Sequence, residues 1–328
     1  MTDNKTIFNF NNNLSKLIIN SCIKCKDKIS ININNPILMS DIKKINNIYN
    51  NNIRITKYDN VTVFLDNNKY PTIFGSNIDT ILFCYAIKKY KKLFDKINNF
   101  FELGTGGGFI SKYLATKFKI KTAYLNDINK ESIKYISNEL ELPKLKNEPK
   151  KIYYNKNPFY KTIKKNGYVI IEGDGINILN LFYKKHQKFD LLVCNPPYIP
   201  KNNKEEDLDI NSPNFFEGTR LLRYLLLNFN NFTDKMVIII SSTSFLNNRV
   251  INNLKQVKFK ILLKHQVPLK VYNNKKNIEE NKTYYNFLTS KKEEEILINN
   301  NKFIIGAIIN PNSLYSLEHI IYILYIYK

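Results

Sequence analysis

The residues with the most specific chemistry in this chain are Asn195-Pro196-Pro197-Tyr198, which end an apolar run, Phe189–Cys194. Two consecutive prolines fix the backbone and remove two N–H donors, so the loop presents carbonyl oxygens and the Asn195 amide. These groups suit a planar –NH2 group. Asn195 and the Pro196 carbonyl accept its two N–H bonds, Tyr198 stacks on its π system, and the nitrogen lone pair then points in one direction. The alternative is a rigid Pro-Pro turn with a packed tyrosine.

A glycine-rich turn lies earlier in the chain, in Phe101-Glu102-Leu103-Gly104-Thr105-Gly106-Gly107-Gly108-Phe109. A strand that ends in Gly-x-Gly-x-Gly and continues into a helix lets the backbone approach a bound nucleotide closely. The alternating Gly104, Gly106 and Gly108 do not have the GxGxxG spacing of dinucleotide-binding folds. Glu102 and the absence of a Gly-Lys-Ser/Thr sequence are unlike a P-loop. An ordinary strand-to-helix turn is the alternative.

Two aspartates follow the next strands. Asp127 comes about twenty residues after the glycines, where a carboxylate in a doubly wound sheet accepts ribose hydroxyl protons. Its alternative is the N-cap of the helix that begins at Lys130. Asp174 stands between two glycines in Glu172-Gly173-Asp174-Gly175, which indicates a tight turn where the carboxylate could accept from an adenine amino group.

Strand and helix patterns alternate over residues 70–260, which favours an α/β fold with a largely parallel sheet. The sheet would bring the glycine turn, the aspartates and the Asn-Pro-Pro-Tyr loop to one edge. The predicted strands are Asn99–Leu103, Thr122–Leu125, Tyr168–Ile171, Phe189–Cys194 and Met236–Ser241, and the predicted helices are Asp79–Leu93, Phe109–Phe118 and Lys130–Leu140.

Outside this core the patterns are shorter. Residues 1–52 are predicted to be a helical segment, with apolar residues at helical spacing over Leu14–Cys22 and a second helix opened by Ser40. Residues 53–70 form a hairpin linker around Asp59-Asn60. Residues 141–166 are predicted to be a loop or an insertion. Beyond Val257 the expectation is two strands, a charged linker and a closing helix. The strands are predicted over Lys258–Leu263 and Ile304–Ile309, the linker over Asn273–Glu295 and the helix over Ser313–Lys328.

The composition predicts no membrane partner, and it does not decide whether the chain binds nucleic acid. The 328 residues carry 50 Lys and Arg against 28 Asp and Glu, a formal net charge of +22. Such a charge attracts nucleic acid, but Asn, Ile, Lys and Tyr are over-used along the whole chain, as in products of AT-rich genomes. The absence of an 18-residue apolar run, of a leader pattern and of a disulfide framework predicts a cytoplasmic protein with no membrane partner.

Other candidate ligands form no motif. Cys22-x-x-Cys25 is half of a zinc site with no second pair or histidine nearby, so no metal is predicted. Cys84 and Cys194 lie in apolar runs and are expected in the core. Lysine runs such as Lys88–Lys92 indicate a solvated helix face. The three histidines share no motif and are expected at the surface or in packing; they are His186, His265 and His319.

Taken in order, Glu102–Gly108, Asp127, Asp174 and Asn195–Tyr198 resemble the motifs of class I S-adenosylmethionine (SAM)-dependent methyltransferases with an NPPY loop. The longer Leu192–Pro200 stretch is similar to the HemK (PrmC-type) family, which methylates the side-chain amide of a glutamine in translation release factors. The resemblance covers about residues 55–270. Two further matching stretches are Thr72–Leu82, before the glycine strand, and Phe216–Leu222, after the NPPY loop.

The resemblance implies a Rossmann-like fold with a seven-stranded, mostly parallel sheet whose last strand is antiparallel, preceded by the small helical domain. It implies a methyltransferase domain over residues 71–270 and a C-terminal strand/helix extension over 271–328. The expected cofactor is SAM, bound by Glu102, the glycine turn with Thr105, the two aspartates and Asn195; the expected catalytic loop is Asn195–Tyr198.

The same loop also serves amino-methylation of adenine in RNA or DNA, so the expected partner is a protein acceptor or a nucleic acid. A third possibility is a SAM-binding subunit without catalysis that stabilises or activates a partner. Three departures bear on the acceptor. Phe74-Gly75-Ser76-Asn77 replaces Pro-rich residues, the spacing from Asp127 to Asp174 is about twenty residues longer than expected, and about sixty residues follow the usual end.

Overall fold

A computed structural model of the chain describes residues 5–10, 16–20, 28–32, 53–147, 160–200, 218–269, 282–291, 294–309 and 317–328. The described chain divides into two compact units. The first consists of the described residues up to Asn195 together with Asn231–Asp234. The second consists of the described residues of Pro196–Asn230 and Lys235–Lys328. The domain boundaries predicted at residues 52, 70 and 270 stay predictions. The division between the two units falls at other positions, after Asn195 and around Asn231–Asp234.

The first unit contains a five-stranded sheet ordered β3-β2-β1-β4-β5. Strands β4 and β5 form the predicted hairpin, and Asp59 and Asn60 make its turn with φ of 48° and 65°. Asn and Asp tolerate this left-handed conformation, so the hairpin prediction is confirmed. The strands are β1 (Lys5–Phe10), β2 (Lys16–Asn20), β3 (Lys28–Asn32), β4 (Ile53–Tyr58) and β5 (Val61–Asp66).

The helical prediction for the N-terminal segment is wrong where the structure describes it. Strand β2 occupies residues from the stretch predicted as the first helix, and β1 pairs in parallel with β4. Isoleucine and asparagine favour strand and turn over helix interior, and the pairing of three strands outweighs a short 3.6-residue apolar pattern. The second predicted helix, opened by Ser40, lies outside the described residues.

The first unit also contains a mostly parallel sheet, ordered β8-β9-β7-β6-β10, in which only β8 is antiparallel to its neighbour. Its central strands are buried almost throughout, which explains their continuous apolar sequences. The strands are β6 (Asn99–Leu103), β7 (Thr122–Asp127), β8 (Lys161–Lys165), β9 (Tyr168–Glu172) and β10 (Leu191–Cys194). The helices are α1 (Ile78–Lys89), α2 (Phe109–Lys117), α3 (Lys130–Asn138) and α4 (Gly175–Lys184).

Strand β8 corrects part of the predicted loop over residues 141–166. It pairs with β9 through a turn at Asn166 and Gly167, both at positive φ. The long spacing between Asp127 and Asp174 therefore contains an extra edge strand. The sequence of β8 has one apolar residue, Ile163, among three lysines and a threonine, as suits an edge strand with no fully buried position, and this hid the strand in the sequence.

The second unit holds three long strands in the order β12-β16-β11, with β16 antiparallel to both neighbours. A helix and three short strands lie between β12 and β16 in the sequence, and that helix falls inside the predicted charged linker. The elements are α5 (Arg220–Asn228), β11 (Lys235–Ser241), α6 (Asn248–Lys255), β12 (Lys258–Pro268), α7 (Lys282–Thr289), β13 (Glu295–Ile298), β14 (Asn301–Ile304), β15 (Ile308–Ile309) and β16 (Leu317–Tyr327).

The predicted closing helix over Ser313–Lys328 is wrong, because its described residues form β16. Ten of the eleven residues of β16 are buried between β11 and β12. A strand that is buried on both faces is apolar at most positions, here from Ile320 onward, so its sequence carries no period of two that would separate it from a helix. The described residues at the C-terminal end thus form the strand between β11 and β12.

The fold is the predicted Rossmann-like α/β fold, with mostly parallel strands in the first unit and the antiparallel last strand β16 in the second. Six of the seven predicted strands are present, as β9, β7, β6 and β10 in the first unit and β11 and β12 in the second. The seventh, predicted over Ile304–Ile309, is wrong as a single strand, because its residues are divided between the end of β14 and β15, and the long antiparallel strand is β16. Strand β8 is additional. None of the helices in the described part of the chain is long and apolar enough to cross a membrane.

Candidate active site

The predicted cofactor residues of the first unit meet at one edge of its parallel sheet. Leu103, at the end of β6, lies beside Cys194 of β10 and Asn126 of β7, and Asp127 lies beside Glu172 of β9. The glycine turn, Asp127, Asp174 and Asn195 therefore all follow the carboxyl ends of neighbouring strands. Ligands of open α/β sheets bind at this edge, where the strand order reverses between β6 and β10.

The glycine turn requires glycine for two separate reasons. Gly104, Gly106 and Gly108 have φ of 66°, 51° and 72°, a region that side-chain-bearing residues rarely adopt. A Cβ on Gly106 would lie 2.7 Å from the backbone oxygen of Phe74, whereas a Cβ on Gly104 would meet no described atom within 4 Å. Gly106 is thus packed against protein, and Gly104 borders open space.

Glu102 lies beneath this turn and is only 2% exposed. Its carboxylate accepts hydrogen bonds from the hydroxyls of Thr105, at 3.1 Å, and of Ser111 in α2. Burial raises the pKa of Glu102 to about 8, although the hydroxyl hydrogen bonds lower it in part. Glu102 therefore supports the turn from within, and its predicted contact with a cofactor stays a prediction, as does that of Thr105.

We expect Glu102→Gln to flatten the pH dependence of stability. The folded-state pKa of about 8 exceeds the ordinary value of 4.5, so the folded chain holds the proton more tightly than the unfolded chain does. The resulting stability is complete below pH 4.5 and is lost as the pH rises through about 8. Urea unfolding at both pH values measures how far the free energy of unfolding falls between them. We expect this fall to be smaller in the variant than in wild type by about 3–5 kcal/mol. The exposed Glu141→Gln is the matched control, and an equal loss in wild type and Glu102→Gln would contradict this expectation.

Asp127 ties the glycine turn to β7. Its Oδ2 accepts the Gly106 N–H at 2.7 Å and its Oδ1 accepts the Asn129 N–H at 2.8 Å. The carboxyl is 8% exposed, and burial raises its pKa against the lowering effect of these backbone bonds. The N-cap of α3 is Asn129, so the alternative reading of Asp127 as that N-cap is wrong. Contact with a ribose stays a prediction.

Asp174 is the N-cap of α4, with its Oδ1 accepting the Asn177 N–H at 2.9 Å. The preceding Gly173 has φ of 149° and donates its N–H to the Asp127 carbonyl at 3.0 Å. The tight turn indicated by the two glycines is therefore present, and it places Asp174 at the same sheet edge as Asp127. A contact between Asp174 and adenine stays a prediction.

Asn195 ends the first unit directly after β10, and it differs from the other site residues in its hydrogen bonding. Its Oδ1 is buried and has no hydrogen-bond partner among the described residues. An unsatisfied buried polar atom costs about 1–3 kcal/mol. Buried polar atoms are almost always paired, so this oxygen points to a hydrogen-bond donor supplied by a ligand.

The rest of the loop, Pro196–Pro200, belongs to the second unit. The carbonyl oxygen of Tyr198 accepts the Ser244 hydroxyl at 2.7 Å, and the Ile199 carbonyl accepts the Gly218 N–H at 2.6 Å. The half-buried Tyr198 ring packs against an apolar cluster that includes Ile199. Hydrogen bonds thus hold the loop backbone at the tyrosine and at the residue that follows it. Catalytic roles for Pro196, Pro197 and Tyr198 stay predictions.

Three residues at the sheet edge of the first unit carry contacts that no sequence motif indicated. The Phe74 carbonyl accepts the Gly107 N–H at 3.2 Å, so the segment before α1 covers the glycine turn. The Asn126 side chain donates to two carbonyls of the β9 end, those of Ile171 and Gly173. Ile128, directly after Asp127, is 51% exposed. Of these three, only Phe74 lies in one of the stretches that carry the resemblance, Thr72–Leu82.

No protein-family model and no curated protein matches the chain. Solved structures to which it is similar include a dimethyladenosine transferase from Plasmodium falciparum, with 14% identity over 77% of this chain and 62% of that chain and a TM-score of 0.35. Another is a precorrin-6y C5,15-methyltransferase from Geobacter metallireducens, with 8% identity over 79% and 97% and a TM-score of 0.37. A third is human methyltransferase-like protein 13 in complex with SAH, with 12% identity over 58% and 74% and a TM-score of 0.36.

Proposed function

We propose that this chain is a SAM-dependent N-methyltransferase that acts on a planar amide or amine nitrogen. The observation that carries the proposal is the buried, unpartnered Oδ1 of Asn195 at the carboxyl edge of the sheet. An acceptor atom in this state needs an N–H donor, and the neighbouring prolines offer none. The class I methyltransferase fold and the NPPY sequence support the same conclusion.

The residues present fit SAM as the cofactor. The open space beside Gly104 admits a ligand against the backbone, and the Asp127 carboxylate stands at the end of the next strand. Asp174 follows the strand after that, and the exposed side chain of Ile128 offers an apolar surface to a planar ring. When bound, SAM supplies a methyl group on an electrophilic sulfonium. The glycine turn and the two aspartates would hold it, which leaves Asn195 Oδ1 for the acceptor.

The chain's own contribution is to hold the acceptor nitrogen. Asn195 Oδ1 and the Pro196 carbonyl would accept its two N–H bonds and so orient its lone pair. An amide nitrogen is a poor nucleophile, so alignment and the exclusion of water have to supply most of the rate. Positioning of this kind supplies up to about 7–11 kcal/mol of a barrier. The two acceptor oxygens also stabilise positive charge that develops on the nitrogen.

We propose further that the acceptor is the side-chain amide of a glutamine in a protein such as a translation release factor, as the Leu192–Pro200 stretch suggests. The competing acceptor is the amino group of adenine in RNA or DNA. The net charge of +22 and the half-buried ring of Tyr198 favour that reading. Both acceptors present the same planar –NH2 group, so the loop chemistry suits either.

Methyl transfer from labelled SAM into a lysate of the source cells tests the proposal. Wild-type protein and Asn195→Ala are compared, and each product is divided between nuclease and protease. Label that survives nuclease and is lost to protease supports a protein acceptor, and the released amino acids identify glutamine. Label lost to nuclease makes adenine the acceptor. SAM binding without any label would leave a non-catalytic subunit, and label at equal level in Asn195→Ala would overturn the role of the loop.

A further inference from the structure

A buried histidine lies against the tyrosine of the NPPY loop inside the second unit. His319 stands on β16 opposite Val267 of β12 and is 2% exposed. Its ring lies 5.7 Å from the Tyr198 ring, centroid to centroid, with 32° between the planes. His319 is thus a packing residue, one of the two places expected for the histidines, and the ring beside it is that of the NPPY tyrosine.

A hydrogen bond fixes the orientation of the His319 ring. Its Nδ1 lies 2.7 Å from the Oγ of Ser241, the last residue of β11, and that Oγ lies 2.8 Å from the Thr243 hydroxyl. The Thr243 N–H also donates to Ser241 Oγ at 3.1 Å. Ser241 and Thr243 are fully buried. The contact is therefore shielded from water, and it determines which plane of the imidazole is presented to Tyr198.

The same short segment also holds the backbone of the tyrosine. Ser241 and Ser244 form a capping box, and the Ser244 hydroxyl donates to the Tyr198 carbonyl at 2.7 Å. The segment Ser241–Ser244, at the end of β11, thus fixes Tyr198 at two points. Ser244 fixes its main chain, and Ser241, through His319, fixes its ring. Simple space filling beside Tyr198 would not require a histidine or its buried serine partner.

We propose that His319 is a positioning residue for Tyr198, with Ser241 setting the plane of its ring. The proposal rests on the proposed function, in which Tyr198 stacks on the planar acceptor group. A tyrosine whose ring is held in one orientation presents a preformed surface to the acceptor, so that less order has to be imposed when the acceptor binds.

Two substitutions of His319 separate its contact with the Tyr198 ring from its hydrogen bond with Ser241. His319→Phe keeps a ring against Tyr198 and loses the bond to Ser241, whereas His319→Asn keeps a polar partner for Ser241 and loses the ring. Ser241→Ala removes the partner alone. We expect each variant to lower kcat by roughly 10- to 100-fold, the effect of a small misplacement, with the Kd for SAM unchanged.

The direct readout is ¹⁹F NMR of 3-fluorotyrosine placed at position 198. Its resonance should shift or broaden in His319→Phe, His319→Asn and Ser241→Ala. Ser242→Ala is the matched control. Ser242 is equally buried and hydrogen-bonded, to the Gly306 carbonyl and the Ile320 N–H, without touching His319 in any of these contacts. This control should lose stability and leave the resonance in place.

Resonances that stay unchanged in the His319 and Ser241 variants, or that move as far in Ser242→Ala, would overturn the proposal. Failure of the proposed function looks different. A wild-type chain that binds SAM and methylates neither protein nor nucleic acid contradicts the enzyme assignment, while the fluorine spectra still report whether His319 orients Tyr198.

Discussion

Replacing Asn195 with alanine is expected to abolish methyl transfer without destabilising the chain. The substitution removes a preorganised acceptor for the substrate N–H, and loss of one such group lowers kcat by about 10²–10³-fold. It also removes the buried, unpartnered Oδ1, so the free energy of unfolding should stay equal or rise by up to about 1–3 kcal/mol. Urea unfolding, calorimetric binding of SAM and labelled methyl transfer measure the three quantities.

Asn195→Asp is the matched control, because it keeps the shape and an acceptor oxygen at the same position. We expect it to retain a measurable part of the activity. Asn126→Ala is the structural control, since that side chain makes two hydrogen bonds to the β9 end and its loss should lower stability. A marked loss of stability in Asn195→Ala, or a large loss of SAM affinity, would contradict the role of Asn195 in holding the acceptor.

Alanine substitutions in the glycine turn are expected to have the second large effect. Gly104→Ala should weaken SAM binding, whereas Gly106→Ala should destabilise the fold. Alanine at either position costs about 1–2 kcal/mol in left-handed strain. Gly104→Ala adds a methyl group where no described protein atom lies within 4 Å, so the chain should fold and lose SAM affinity by at least about tenfold. Gly106→Ala places its Cβ 2.7 Å from the Phe74 oxygen, so it should unfold more readily.

Thermal unfolding and equilibrium binding of SAM distinguish the two variants. The expected pattern is a small change in Tm with weak binding for Gly104→Ala, and a large fall in Tm for Gly106→Ala. Undiminished SAM affinity in a folded Gly104→Ala protein would place the cofactor elsewhere. A Tm equal to that of wild type for Gly106→Ala would mean that the Phe74 segment moves away from the turn without cost.

The elements that sequence predicted well are those with strong local signals. The Asp59-Asn60 turn has residues that tolerate positive φ between two β-branched runs, and the hairpin formed there. Strands β6, β7, β9 and β10 are short apolar runs, each followed by Gly, Asp or Asn, and each was predicted within about two residues. The sheet edge with its site residues followed from these strands.

The errors come from segments whose state depends on distant partners. Strand β16 is a continuous run of aliphatic and tyrosine residues from Ile320 onward, it pairs with β11 and β12, and nothing local separates that pattern from a helix. Strand β2 pairs with β1, which in turn pairs in parallel with β4, whose residues lie nearly fifty positions later in the sequence. Helix α7 lies in a polar stretch that was predicted as a linker.

The site shows the same division. The glycines, Asp127, Asp174 and Asn195 stand in local motifs, and the sequence predicted their common edge in the first unit. The support around them is long-range. Phe74 lies about thirty residues before the turn it covers, and His319 follows Tyr198 by about 120 residues. No pattern in a single sequence links such pairs, because only the folded sheet brings them together.

Equilibrium dialysis with labelled SAM tests the central claim most directly. The Rossmann-like fold alone would also suit a dinucleotide, so the competitors are S-adenosylhomocysteine and NAD. We predict one saturable site per chain, from which S-adenosylhomocysteine displaces the label and NAD does not. Absence of saturable binding, or displacement by NAD as readily as by S-adenosylhomocysteine, would contradict the assignment of the glycine turn and Asp127 to SAM.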